Sequence, residues 1–198
     1  MSDFDINTLW QDSQDDHLEV AKLSFESLQD DFSAILDMAE RTIRGGGTIL
    51  FFGNGGSASD AQHLATELTI RYKKDRAPIA ALALTTDTSA LTAGGNDLGF
   101  DQIFARQLDA LGRAGDLAIG LSTSGNSANV IEAFKIARHK DIQTVAFTGQ
   151  SGGALVNYSD AMLKIPSSVT ARIQEMHIVI GHTICHLIDQ AFSDSTQT

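Results

Sequence analysis

The sequence predicts an α/β protein: an open, five-stranded parallel sheet in a doubly wound α/β/α sandwich, with helices at the N-terminal and C-terminal ends of the chain. Three observations predict it. Five short runs are almost continuously apolar, as strands covered on both faces must be. Segments of helical periodicity separate them, the alternation that right-handed β-α-β crossovers produce. The strands end in loops rich in Gly, Ser, Thr and Asn, which suit the carboxyl edge of a parallel sheet, where ligands bind.

Taken in order, the chain opens with a helical segment. From Asp16 to Arg44, Leu18, Ala21, Leu23, Leu28, Phe32, Ile35, Leu36, Met38 and Ile43 recur at helical spacing, as one long helix or as two with a break near Gln29 to Asp31. The strands follow as TILFFG (48–53), IAALAL (79–84), DLAIGLS (116–122), TVAFTG (144–149) and AMLKIP (161–166). Helical patterns occupy 57–73, 100–111 and 126–139, and a last helix runs from Thr170 to Phe192. Residues 1–45 are thus an N-terminal helical segment, 46–192 the α/β core with its closing helix, and 193–198 a frayed polar tail. With two prolines, no flexible linker and no tandem repeat, residues 1–198 read as a single domain.

Composition narrows the function. A chain of 198 residues that is 42% hydrophobic can build one sizeable core. Lys and Arg number 14 against 25 Asp and Glu, for a net charge of -11, and no basic run exists to release counterions from nucleic acid or to settle on an anionic membrane. Neither a signal peptide nor an apolar run of about 18 residues is present, so the expected location is the cytoplasm. Cys185 is the only cysteine; set in IVIGHTICHLI, it reads as a small buried hydrophobe.

Two glycine-containing loops compete as ligand sites. Gly53-Asn54-Gly55-Gly56-Ser57-Ala58 fits G-x-G-x-x-A between a strand and a helix, a dinucleotide fingerprint for which Asp87 would be the ribose acid. That reading leaves the later LSTSGNSANV, and a His and a Glu in the first core helix, without a role. No loop carries the G-K-[ST] ending of an ATP-binding loop. In LSTSGNSANV, Ser122, Thr123, Ser124 and Ser127 offer four hydroxyls, and the amides around Gly125 and Asn126 open a helix, so the stretch reads as a phosphate cradle. The plainer alternative is a strand-to-helix turn with one Ser or Asn as N-cap.

His63 and Glu67 lie one helical turn apart and project from one face. Such a pair can hold a divalent metal or supply a base with its orienting partner; it can equally be a surface ion pair. The last helix places Gln174, His177, His182 and His186 in an otherwise apolar segment. Gln174 and His182 share a face, whereas His177 and His186 point elsewhere and read as structural or surface residues.

Together, FFGNGGSASDAQHLATEL, TTDTSALTAGGNDLGF, LSTSGNSANVIEAF, FTGQSGG and ARIQEMHIVIGHTICHLI resemble the phosphoheptose isomerase family of the sugar-isomerase (SIS) fold, in order from residue 17 to 192. The resemblance implies a homotetramer with sites between subunits and one zinc ion per subunit, held by His63, Glu67, Gln174 and His182. It implies substrate contacts from Asn54, Gly55, Gly56, Glu67, Asn96, Asp97, Ser122, Thr123, Ser124, Ser127 and Gln174. The implied reaction converts sedoheptulose 7-phosphate to D-glycero-D-manno-heptose 7-phosphate, the first step toward the ADP-heptose of lipopolysaccharide core. Moving a proton between C1 and C2 through an enediol needs a base on carbon and an acid on oxygen, here Glu67 and His182. Some relatives carry an acid just before Arg-Ile-Gln; here that position is Ala171. Non-catalytic relatives, of the DnaA initiator-associating type or regulatory sugar-phosphate binders, share the glycine turn and the hydroxyl cradle. The presence of Glu67 and His182 favours the enzyme.

Overall fold

A computed structural model describes residues 5–193; of the expected tail 193–198, all but Ser193 lies outside the described residues. The N-terminal segment is two helices, α1 (Ile6–Ser27) and α2 (Gln29–Arg44), separated at Leu28, whose φ of -108° and ψ of 12° leave the helical region. α1 begins ten residues earlier than its apolar periodicity suggested, with the Asp5 carboxylate capping it at the amide of Asn7. The core then runs β1 (Ile49–Gly53), α3 (Gly56–Thr69), β2 (Ala81–Ala83), α4 (Thr88–Asp97), α5 (Ile103–Leu111), β3 (Leu117–Leu121), α6 (Ala128–His139), β4 (Gln143–Gly149), β5 (Ala161–Ile165) and α7 (Thr170–Phe192).

The differences from expectation have local causes. α3 stops at Thr69 rather than 73 because the Arg76 guanidinium takes the carbonyls of Glu67 and Leu68, which another turn of helix would have used. α4 was not legible, since none of its residues is buried and its Gly94-Gly95 pair weakens the helical pattern. The 100–111 segment divides into a 3₁₀ turn at Phe100–Gln102 and α5.

All five strands are parallel, in the order β2-β1-β3-β4-β5. Adjacent residues of each strand serve opposite faces. Phe51, Ile119 and Phe147 join α2, α3 and α7 in one core through Ile35, Leu64, Leu68 and Ile184. Phe52 and Leu50 join α5 and α6 in the other, where Phe52 packs on Phe104 at 5.4 Å and edge-on against Phe134 at 5.9 Å. The strand order reverses between β1 and β3, so the loops after these two strands flank the crevice where a doubly wound sheet takes its ligand.

Candidate active site

The two loops at the crevice are joined by an exchange of amides. Asn54 Nδ2 donates to Asn129 Oδ1 at 2.9 Å, and Asn129 Nδ2 donates to Asn54 Oδ1 at 2.8 Å. Gly53 permits the approach, because a Cβ there would lie 2.8 Å from the Leu121 carbonyl oxygen. Gly55 then adopts a φ of 57° and Gly56 opens α3. The hydroxyl-rich loop is folded on itself: Ser122 Oγ and Ser127 Oγ are 2.8 Å apart, and the Ser124 hydroxyl accepts from the Asn126 amide at 3.1 Å. Ser127 stands at the N-cap of α6 without capping it, so the helix opening is left for an anion.

Beside Thr123 and Ser124 lies a cavity of about 300 Å³ whose other wall includes Gln150, Ser167, Ser168 and Thr170. The hydroxyls after β5 escaped the sequence reading, although their clustering resembles that of the cradle. Asn129 and Tyr72 also escaped it, since neither carries a pattern of its own.

α3 and α7 run side by side in parallel. At their N-terminal ends Gln174 covers Gly56, whose Cβ would meet its amide nitrogen at 2.8 Å; farther along, Gly181 sits against Leu64. This register brings His182 to His63, Nε2 to Nε2 at 3.1 Å, while His63 Nε2 lies 3.0 Å from Glu67 Oε1. One donor atom from each of the three side chains falls within 4.8 Å of the others, so the group could hold a metal ion. Gln174 stands eight residues before His182, about 12 Å along the helix, and is not brought to this cluster. Burial and then the neighbouring His63 hold the His182 imidazole below its ordinary basicity, against the pull of Glu67.

The other sequence candidates fall outside this cluster. Asn96 and Asp97 end α4, exposed, with Asn96 Nδ2 donating to Asp97 Oδ1 at 2.7 Å; no described contact joins them to the triad or the cradle. His177 is buried beneath Phe147 and shares a hydrogen bond with the Thr148 carbonyl at 3.2 Å. His186 faces Tyr72. Burial pushes the Cys185 thiol up to about 12, so it is inert. Asp87 caps α4 at the amide of Ala90, which leaves the dinucleotide reading without a free ribose acid.

A doubly wound sheet with a hydroxyl-rich loop at its switch point and a His-Glu-His cluster on α3 and α7 is the architecture of a SIS domain. A SIS domain family model matches residues 15–149, and the chain belongs to that family. Within the family it is similar to phosphoheptose isomerases: the protein of that name from Paramagnetospirillum magneticum is 50% identical over 88% of this chain and 91% of its own. The solved phosphoheptose isomerase GmhA of Neisseria gonorrhoeae is 43% identical, with a TM-score of 0.88 over 93% of this chain and 99% of that one. The phosphoheptose isomerase structure from Francisella tularensis gives 34%, 0.91, 94% and 100% for the same quantities. Among the described residues, no helix is long and apolar enough to cross a membrane.

Proposed function

We propose that this protein is an aldose–ketose isomerase that converts sedoheptulose 7-phosphate to D-glycero-D-manno-heptose 7-phosphate in the cytoplasm, at the entry to ADP-heptose synthesis for lipopolysaccharide core. The convergence of His63, Glu67 and His182, in a fold with a hydroxyl-rich loop at its switch point, carries this reading, together with close similarity to phosphoheptose isomerases. The hydroxyls of Ser122, Thr123, Ser124 and Ser127 and the opening amides of α6 hold the phosphate. Asn54, Gly55 and Gly56 present backbone to the sugar, and Asn96 and Asp97 contribute from α4. Glu67 takes the proton from C1 of the ketose and returns it to C2, while His182 passes a proton between the two oxygens.

Two imidazole nitrogens and a carboxylate oxygen are a donor set that suits a catalytic zinc ion. His63, Glu67 and His182 would hold it, and Glu67 and His182 serve as base and acid when their coordination loosens during turnover. When bound it supplies Lewis-acid polarisation of the sugar oxygens. Gln174, expected from the family resemblance as a fourth ligand, lies against Gly56 in its own chain, away from these three. The homotetramer finds support in α1, whose residues 6–16 are all exposed although they include Ile6, Leu9 and Trp10.

The test follows both sugar phosphates by NMR in the purified protein, with chelation and zinc add-back. Aldose should appear, disappear on chelation and return with zinc. Glu67→Gln should lower turnover by about 10²-fold or more and leave the assembly unchanged. No turnover under any metal condition would return the protein to the binding and regulatory members of the fold.

A further inference from the structure

A metal-ligating imidazole is ordinarily fixed by a hydrogen bond from its second ring nitrogen to a carboxylate or a carbonyl. Among the described residues His182 has no such bond; its hydrogen-bond contact is the one with His63. What it has is Tyr72, stacked on its ring at 5.5 Å between centroids and 26° between planes. The same phenol ring meets His186 edge-on at 6.0 Å and 66°. Tyr72 is thus wedged against two imidazoles one turn apart on α7.

The wedge is held from behind. Apart from Tyr72, which is partly buried against the core, the segment from Ile70 to Ala77 contributes little apolar packing, and Ile70 itself is exposed. Immediately after Tyr72, however, the amides of Lys73 and Lys74 both donate to Asp189 Oδ2, at 2.7 and 2.9 Å. Asp189 Oδ1 accepts from Arg76 Nε at 2.7 Å, and Arg76 reaches the carbonyls of Glu67 and Leu68 at 2.9 Å each. Charge-assisted bonds in a buried setting are strong. They fasten the loop to α7 and to the last turn of α3, one residue beyond the aromatic ring.

We propose that Tyr72 is a positioning residue of the active site: its ring, held in place by the Arg76–Asp189 pair through the Lys73 and Lys74 amides, fixes the orientation in which His182 presents Nε2 to His63 and Glu67. The proposal rests on the reading of His63, Glu67 and His182 as a metal-holding catalytic set. A flat ring face performs the orienting task that an outer hydrogen bond usually performs. The Tyr72 hydroxyl makes no hydrogen bond among the described residues, so the face of the ring is the working part.

Tyr72→Ala and Tyr72→Phe are compared with the parent protein in two measurements: zinc affinity by competition with a chromogenic chelator, and kcat and KM for sedoheptulose 7-phosphate. Losing an outer partner of a metal ligand costs about 10- to 100-fold in affinity or activity. Tyr72→Ala should weaken zinc binding by about tenfold or more and lower kcat with KM unchanged, in the parent's assembly state and with a modest fall in melting temperature as the ring leaves the core. Tyr72→Phe should restore both. Parent-like zinc affinity in Tyr72→Ala overturns the proposal, as does a Tyr72→Phe variant as defective as the alanine. A parent that neither binds zinc nor turns over overturns the triad reading and this proposal together, whereas a working parent matched by Tyr72→Ala overturns this proposal alone.

Discussion

Arg76 and Asp189 form an ion pair in which both side chains are wholly buried, Nε to Oδ1 at 2.7 Å. Removing one member strands the other charge. Asp189→Ala should therefore cost about 3–5 kcal/mol of stability, read from the midpoint of urea unfolding. A double change to Arg76→Met and Asp189→Leu removes both charges but should recover only part of that loss, because the Lys73 and Lys74 amides and the Glu67 and Leu68 carbonyls lose their partners. A single variant as stable as the parent would mean that the pair's desolvation cancels its attraction even when half of it remains.

Gly125 turns the cradle with a φ of 67°, and a Cβ there would run into the backbone carbonyl of Gly152. Gly125→Ala is strained in conformation and blocked in space, so it should destabilise by more than about 1 kcal/mol. Because the blocked loop is the one assigned to the phosphate, KM for the sugar phosphate should rise severalfold. Isothermal titration with substrate, beside thermal melting, separates the two effects.

Burial drives His177 from its ordinary 6.5 to about 4. The folded protein therefore keeps this imidazole neutral at pH values where the unfolded chain has already protonated it. Since the unfolded state binds more protons in that window, stability falls as pH drops from about 6.5 toward 4, by up to about 3 kcal/mol, and this contribution levels off below. In His177→Gln, denaturant midpoints should lose that part of their slope across the same window.

Trp10 and Ile6 are each 76% exposed on a stretch of α1 whose residues 6–16 are all exposed. Replacing Trp10 and Leu9 by Asp should shift sedimentation from the proposed tetramer toward smaller species. The far-ultraviolet signal of the core should persist. An unchanged tetramer would place the contact between subunits elsewhere.

Much of the fold was legible because buried parallel strands and their covering helices leave unmistakable apolar runs: β1, β3 and β4 match their predicted segments within a residue or two at each end. What escaped was structure without burial. α4 buries none of its residues fully and only rests Leu91 on the core, and the outer half of α1 leaves Ile6, Leu9 and Trp10 exposed among the described residues. The triad was legible in part. Spacing paired His63 with Glu67, but their meeting with His182 depends on the parallel register of α3 and α7, which no local pattern encodes. Tyr72 was invisible for the same reason, since its place is set by Asp189, more than a hundred residues away.

That register is enforced by a missing atom. Gly181 lies beside His182, and a Cβ there would stand 2.7 Å from Leu64 Cδ2, the neighbour of His63. A methyl group at this point wedges the two helices apart and separates the two imidazoles they carry. Saturation mutagenesis of α7 should therefore find Gly181 nearly as intolerant as His182, although it carries no functional group. Part of this protein's chemical specification is an enforced vacancy, and exchanges that look small by size scales would erase it.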